Sequence, residues 1–83
     1  MNDPVTGRKK VREVLAMAPR RRFSEGMILD GLNRLMPEKV TTQELAAWIE
    51  YNHSRGWIEY RHNPDEERDE WFLTDEGKQK EGL

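Results

Sequence analysis

The chain has 83 residues, of which 35% are apolar and 36% charged, and this length fits one domain with a small core. It has no cysteine, which excludes disulfides and cysteine-ligated zinc, and its longest apolar runs, five residues each, are too short for a membrane span or a signal-peptide core, so we expect a cytoplasmic protein. The net charge of −2 is unevenly divided, since residues 1–37 carry eight Lys/Arg against four Asp/Glu (+4) and residues 38–83 carry six against twelve (−6).

A first helix is predicted between Asp3-Pro4, where proline suits the first helical position, and Pro19, which ends it. Thr6 is an alternative start. The apolar side of this helix, which is predicted to face the core, is formed by Val11, Val14, Leu15 and Ala18. The remaining surface carries Arg8, Lys9 and Arg12, and it is either a solvated face or a set of phosphate contacts.

Three arginines, Arg20 to Arg22, precede a second helix that is predicted over Glu25 to Met36, with Ser24 as its N-cap. Its inward residues are Ile28, Leu32 and Leu35. Free backbone N–H groups and the positive end of the helix dipole favour an anion at such a helix start. Arg20, Arg21, Arg22 and Ser24 are therefore candidate phosphate ligands, or alternatively solvated linker residues that aid solubility.

The third helix has the best-defined ends. Thr41 and Glu44 form a capping box, and Val40 with Leu45 add a hydrophobic staple. Gly56 closes the helix because glycine readily adopts the left-handed conformation. Between these ends, the inner side is predicted to hold Leu45, Trp48, Ile49 and Asn52.

Two strands follow as a β-hairpin. Apolar alternation predicts strands over residues 57–62 and 70–74, and Asn63-Pro64-Asp65 is typical of a turn between them. Residues 74–77 are predicted to form a cap and a short terminal turn. We expect residues 1–6 and 78–83 to fray.

Three helices followed by a two-stranded β-hairpin define an α+β arrangement. The sequence resembles the winged helix-turn-helix domains of PadR-like and MarR-like bacterial regulators in three features. These are the spacing of the second and third helices, the segment Gly56-Trp57-Ile58, and the run Trp71-Phe72-Leu73-Thr74-Asp75-Glu76-Gly77. The resemblance starts at Ser24 and spans about sixty residues. It implies a single winged-helix domain over residues 1–83, acting as a small DNA-binding transcription regulator or accessory protein of bacterial or phage origin.

In that family the third helix enters the major groove of double-stranded DNA, so the resemblance makes Thr41, Thr42 and Gln43 the base-edge candidates. The phosphate candidates are then Arg8, Lys9, Arg12, Arg20, Arg21, Arg22 and Ser24. Glu44, Glu50 and the acidic hairpin tip oppose DNA binding. The alternative is a protein-interaction module that does not bind DNA, in which the wing docks on a basic partner surface through Asp65, Glu66, Glu67 and Asp69.

Other chemistry is sparse. His53 and His62 are the only imidazoles, and no serine, histidine and aspartate set has interpretable spacing, so we predict neither enzymatic activity nor a cofactor. Asp65, Glu67, Asp69 and Glu76 match positions 1, 3, 5 and 12 of a calcium loop. Glu70, however, occupies the position that requires glycine, and no metal site is predicted.

Overall fold

A computed structural model describes all 83 residues. It contains four helices and three strands, in the order α1 (Pro4–Ala16), β1 (Phe23–Ser24), α2 (Glu25–Leu35), α3 (Thr42–Ser54), β2 (Ile58–Asn63), β3 (Arg68–Leu73) and α4 (Asp75–Lys80). The predicted α+β class is confirmed. A third strand and a fourth helix are added to the predicted three helices and hairpin.

Each helix starts at a side chain that caps it. Asp3 accepts a hydrogen bond from the Thr6 N–H at 3.0 Å, and Ser24 accepts one from the Met27 N–H at 3.3 Å. At α3 both halves of the capping box form, because the Thr41 hydroxyl accepts from the Glu44 N–H and the carboxylate accepts from the Thr41 N–H, each at 3.0 Å. The predicted helix starts are confirmed, and α3 closes at Gly56, whose φ is 75°.

The three strands form an antiparallel sheet in the order β1-β3-β2. In the hairpin, the register runs from Ile58 opposite Leu73 to Asn63 opposite Arg68. Strand β1 pairs on the other side of β3, with Phe23 opposite Trp71 and Ser24 opposite Glu70. The sequence did not predict β1, because two residues are too few to show a period-two alternation.

The helices and the sheet enclose one cluster of 14 buried apolar residues. Helix α1 meets α3 at Gly7, where an added Cβ would lie 2.4 Å from the Trp48 ring, so only glycine permits this approach. The prediction that Leu35 faces inward is wrong, since it is 37% exposed; α2 ends there, and Met36 in the extended cap takes the core position with 8% exposure.

The chain ends differ from the expected frayed segments. Asn2 is buried against the turn between α2 and α3, where its side-chain amide donates to the Glu38 carbonyl oxygen at 3.2 Å. At the other end α4 extends to Lys80, and Glu81 pairs with Arg12 of α1 at 3.2 Å. These contacts join residues far apart in the chain, which local sequence patterns do not reveal.

None of the four helices has the length and apolarity that a membrane crossing requires.

Candidate nucleic-acid interface

The first turn of α3 presents two polar side chains to solvent. Thr42 and Gln43 are exposed, and so are Ala46 and Ala47 further along the same helix. Thr41 is also exposed, but its hydroxyl accepts the capping hydrogen bond and its N–H donates to Glu44. The capping box therefore occupies Thr41 and leaves Thr42 and Gln43 with unengaged side chains on a fixed helix start.

Glu44 is the acid that would face a phosphate if its carboxylate pointed outward. It accepts hydrogen bonds from the Thr41 N–H at 3.0 Å and from the Asn2 N–H at 3.1 Å. The Thr41 N–H is the main reason that the Glu44 pKa lies below its ordinary value, and the Asn2 groups add to the effect. The carboxylate is thus held toward the beginning of the chain, which reduces its conflict with an anion at Thr42.

The turn between α2 and α3 is held from both sides and carries cations that the sequence pattern did not indicate. The Asn33 side-chain oxygen accepts from the Val40 N–H at 2.8 Å, and the Asn2 amide donates to the carbonyls of Glu38 and Lys39. Lys39, three residues before Thr42, is exposed and in no ion pair, as is Arg34 at the end of α2. In the sequence, Lys39 follows Glu38 and Arg34 has only uncharged neighbours, so neither cation belongs to a run of positive charge.

Arg20, Arg21 and Arg22 lie in the connection between α1 and β1. All three are exposed, and none is in an ion pair. The Arg22 guanidinium lies 5.8 Å from the centre of the Phe72 ring on β3, and that of Arg61 on β2 lies 5.7 Å from the same ring. The sheet therefore brings Arg61 to the same aromatic ring as Arg22 of the basic segment, which the sequence alone did not indicate.

Ser24 has an acidic environment. Its hydroxyl caps α2, and its backbone neighbour across the sheet is Glu70. A hollow of about 420 Å³ at this helix start is lined by Ser24, Glu25, Gly26, Arg68 and Asp69. Two carboxylates against one guanidinium make this helix start poorly suited to a phosphate, in contrast to the sequence interpretation.

The basic residues of α1 lie away from the start of α3. Arg12 is only 7% exposed, its Nε donates to Glu81 at 3.2 Å, and its Nη1 donates to the Asn52 side-chain oxygen at 2.9 Å. The Arg8 guanidinium lies 4.0 Å from the centre of the Tyr51 ring. Because Tyr51 follows Thr42 by nine residues, this contact is about 14 Å further along the helix axis.

Lys9 is exposed and lines a separate hollow beside α4, together with Lys80 and Glu81. The structure therefore does not bring Arg8, Lys9 and Arg12 together with Thr42 and Gln43. Arg12 in particular takes part in the packing of α1 against α4. The sequence had predicted that this arginine lies on an exposed surface.

The hairpin tip is exposed and acidic. Asp65, Glu66 and Glu67 are exposed and in no ion pair, whereas Asp69 lies 3.0 Å from His62.

At the base of the hairpin, His53 packs edge-on against Trp71 and contacts Glu59 at 3.1 Å. The Tyr60 N–H, followed by His53, holds the pKa of Glu59 below its ordinary value. No group of three or more His, Asp or Glu side chains is placed to hold a metal ion.

Comparisons with known proteins identify the fold. The sequence matches no protein-family model and no curated protein. The structure is similar to the crystal structure of a proposed transcriptional regulator from Thermoplasma acidophilum, with a TM-score of 0.69 and 12% sequence identity. The match covers 95% of this chain and 77% of that one. The chain therefore shares its fold with that regulator.

Proposed function

We propose that the protein is a winged-helix transcription regulator that binds double-stranded DNA, with α3 as the recognition helix and the β2–β3 hairpin as the wing. The observation that carries the proposal is the exposed start of α3, where Thr42 and Gln43 stand free on a helix end held by the capping box and by Asn2. The likeness to a proposed regulator over 95% of the chain supports it. So does the PadR-like and MarR-like sequence pattern.

The chemistry of this helix start suits the major groove. A Gln43 amide is able to donate and accept in a bidentate contact to adenine, and Thr42 offers a hydroxyl to a base or a methyl to thymine. Ala46 and Ala47 add little bulk to the exposed side of the helix, which permits a close approach to the groove. Glu50, further along, limits the contact to the first two turns of α3 because it repels phosphates.

We assign the phosphate contacts to Arg20, Arg21, Arg22 and Lys39. Each is exposed and lacks an ion-pair partner, so binding DNA would not break a protein ion pair. The cations of α1, Arg8, Lys9 and Arg12, are left out because they contact or adjoin α4 and the far end of α3. Ser24 is left out because it lies beside Glu25 and Asp69.

A salt series with labelled duplex DNA tests this proposal. Four phosphate contacts predict that the logarithm of the affinity falls against the logarithm of salt with a slope of about −4. Changing both Arg20 and Arg21 to Ala should bring the slope to about −2. The matched control, Lys9→Ala with Lys78→Ala, removes the same charge from α1 and α4 and should leave the slope unchanged.

Two results contradict DNA binding through this surface. One is the absence of binding at about 50 mM salt, where phosphate contacts contribute most. The other is an equal change of slope in the arginine pair and the lysine pair, which would indicate a response to net charge alone.

A second candidate function is a protein-interaction module that docks through the wing. It is favoured by the free carboxylates of Asp65, Glu66 and Glu67, which would repel a DNA backbone and attract a basic surface. This candidate predicts that an oligolysine peptide binds the protein and that Glu66→Lys with Glu67→Lys removes this binding. Retained peptide binding in that variant would exclude the wing tip as the docking surface.

A further inference from the structure

A cationic hollow lies at the other end of α3, between α1, the last turns of α3 and α4. Its volume is about 200 Å³. Three of its lining residues are cations, two are aromatic and none is acidic. They are Val5, Arg8, Arg12, Tyr51, Trp57 and Lys80.

The aromatic rings hold the cations in place. The Arg8 guanidinium lies 4.0 Å from the centre of the Tyr51 ring, and the Arg12 guanidinium lies 4.7 Å from that of Trp57. The Lys80 ammonium is 4.4 Å from the Trp57 ring. Stacking of this kind orders a cation without using its N–H groups, so the Nη groups of Arg8 and the ammonium of Lys80 stay available to an acceptor in the hollow. Arg12 instead donates to Glu81 and Asn52.

Arg8 is the residue whose bonding is incomplete. Its guanidinium makes no ion pair and no hydrogen bond, and its Nε is closed off from solvent without an acceptor. A buried donor that lacks a partner is unfavourable. Nε is the buried one here, and the other four N–H groups of this guanidinium have no acceptor in the protein either. Arg8 is thus the strongest unmet donor in this part of the molecule.

The charge of the hollow defines the ligand. Of its three cations, Arg12 is paired with Glu81, which lies outside the lining. Lys80 and Arg8 are in no ion pair. Asp3, whose pKa is lowered mainly by hydrogen bonds from Thr6 and to a smaller extent by the charge of Arg8, lies outside the lining, so two positive charges face the hollow. A phosphate monoester carries about two negative charges near neutral pH, whereas a carboxylate or a DNA phosphodiester carries one.

We propose that this hollow binds inorganic phosphate or the phosphate of a small monoester, with Arg8 and Lys80 as its ligands. The site is separate from the proposed DNA contact at Thr42 and Gln43, because Tyr51 lies about 14 Å further along α3. Occupation by a dianion would connect α1 to α4 through the same group.

The test is an NMR titration of the whole chain with inorganic phosphate, in which the Trp57 indole N–H reports on the hollow. Phosphate should shift this signal in a saturable way, and acetate should bind at least tenfold more weakly. Lys80→Gln should weaken phosphate binding at least tenfold, as should Arg8→Gln. Lys78→Gln, the matched loss of charge on the same helix, should leave binding unchanged.

Failure of this proposal is distinguishable from failure of DNA binding. Thr42→Ala with Gln43→Ala should impair the response to duplex DNA and leave the phosphate response intact. The proposal is overturned if inorganic phosphate does not shift the Trp57 signal, if both Lys80→Gln and Lys78→Gln bind as the parent does, or if only duplex DNA gives a response. Because Lys80 is exposed, an unchanged melting temperature of Lys80→Gln will show that weaker binding is not unfolding.

Discussion

Among single residues, Arg12 is part of the packing rather than of a solvated face. Its guanidinium bridges Glu81 of the C-terminal segment and the fully buried Asn52 of α3. Removing one partner of a buried ion pair leaves the other charge uncompensated, so Arg12→Met should lower the free energy of unfolding by about 3 kcal/mol in urea titrations. Lys10→Met, which breaks the more exposed pair with Glu13, should change it by less than about 1 kcal/mol. Equal effects would contradict the structural role of Arg12.

Glu44 makes the fold sensitive to acid. Because hydrogen bonds from Thr41 and Asn2 hold its pKa in the folded state below the ordinary value of 4.5, its contribution is present above that pH and is lost as the pH falls through the folded pKa. Glu44→Gln retains an oxygen for the Thr41 N–H but does not titrate. The urea midpoint should therefore fall less steeply for Glu44→Gln than for the parent between about pH 5 and pH 2. If the urea midpoints of both proteins fall equally steeply over this pH range, Glu44 does not contribute to the acid sensitivity of the fold.

Among the secondary-structure elements, the close packing of α1 on α3 depends on the missing side chain of Gly7. An added Cβ would lie 2.4 Å from the Trp48 ring, so Gly7→Ala should destabilise the fold by about 2 kcal/mol in thermal unfolding. Gly26→Ala, in the first turn of α2, meets only the Ser24 hydroxyl at 3.9 Å and should be neutral or stabilising by about 0.5 kcal/mol. A stable Gly7→Ala protein would mean that α1 does not approach α3 so closely.

The elements that the sequence predicted are those with local signals. Thr41, Glu44 and Gly56 define α3 within sixteen residues, and all three behave as predicted. Strand β1 could not be predicted, because its pairing partner Trp71 lies far along the chain. The same reason applies to the site: the acid that pairs with Arg12 follows it by 69 residues, so the basic pattern of α1 gave no sign of its burial.

Across the whole molecule, the basic first half and the acidic second half of the sequence do not form two separate surfaces of opposite charge. Arg12 from the basic half is neutralised by Glu81 from the acidic half. The free arginines at 20–22 lie beside a sheet whose central strand begins in the acidic hairpin. The proposed DNA contact therefore depends on a few unpaired cations and on the start of α3. Binding should be weak and strongly salt dependent, as the duplex salt series will measure.

The proposed reading of DNA by the first turn of α3 can be tested by an NMR titration of isotope-labelled protein with duplex DNA. The largest amide shifts are expected at Thr42, Gln43 and Ala46, with smaller shifts at Arg20 to Arg22. Thr42→Ala with Gln43→Ala should reduce discrimination between DNA sequences by about 1 to 3 kcal/mol for each base pair that these side chains hydrogen-bond. Shifts confined to Asp65 through Asp69, or no shifts at low salt, would contradict DNA recognition by α3.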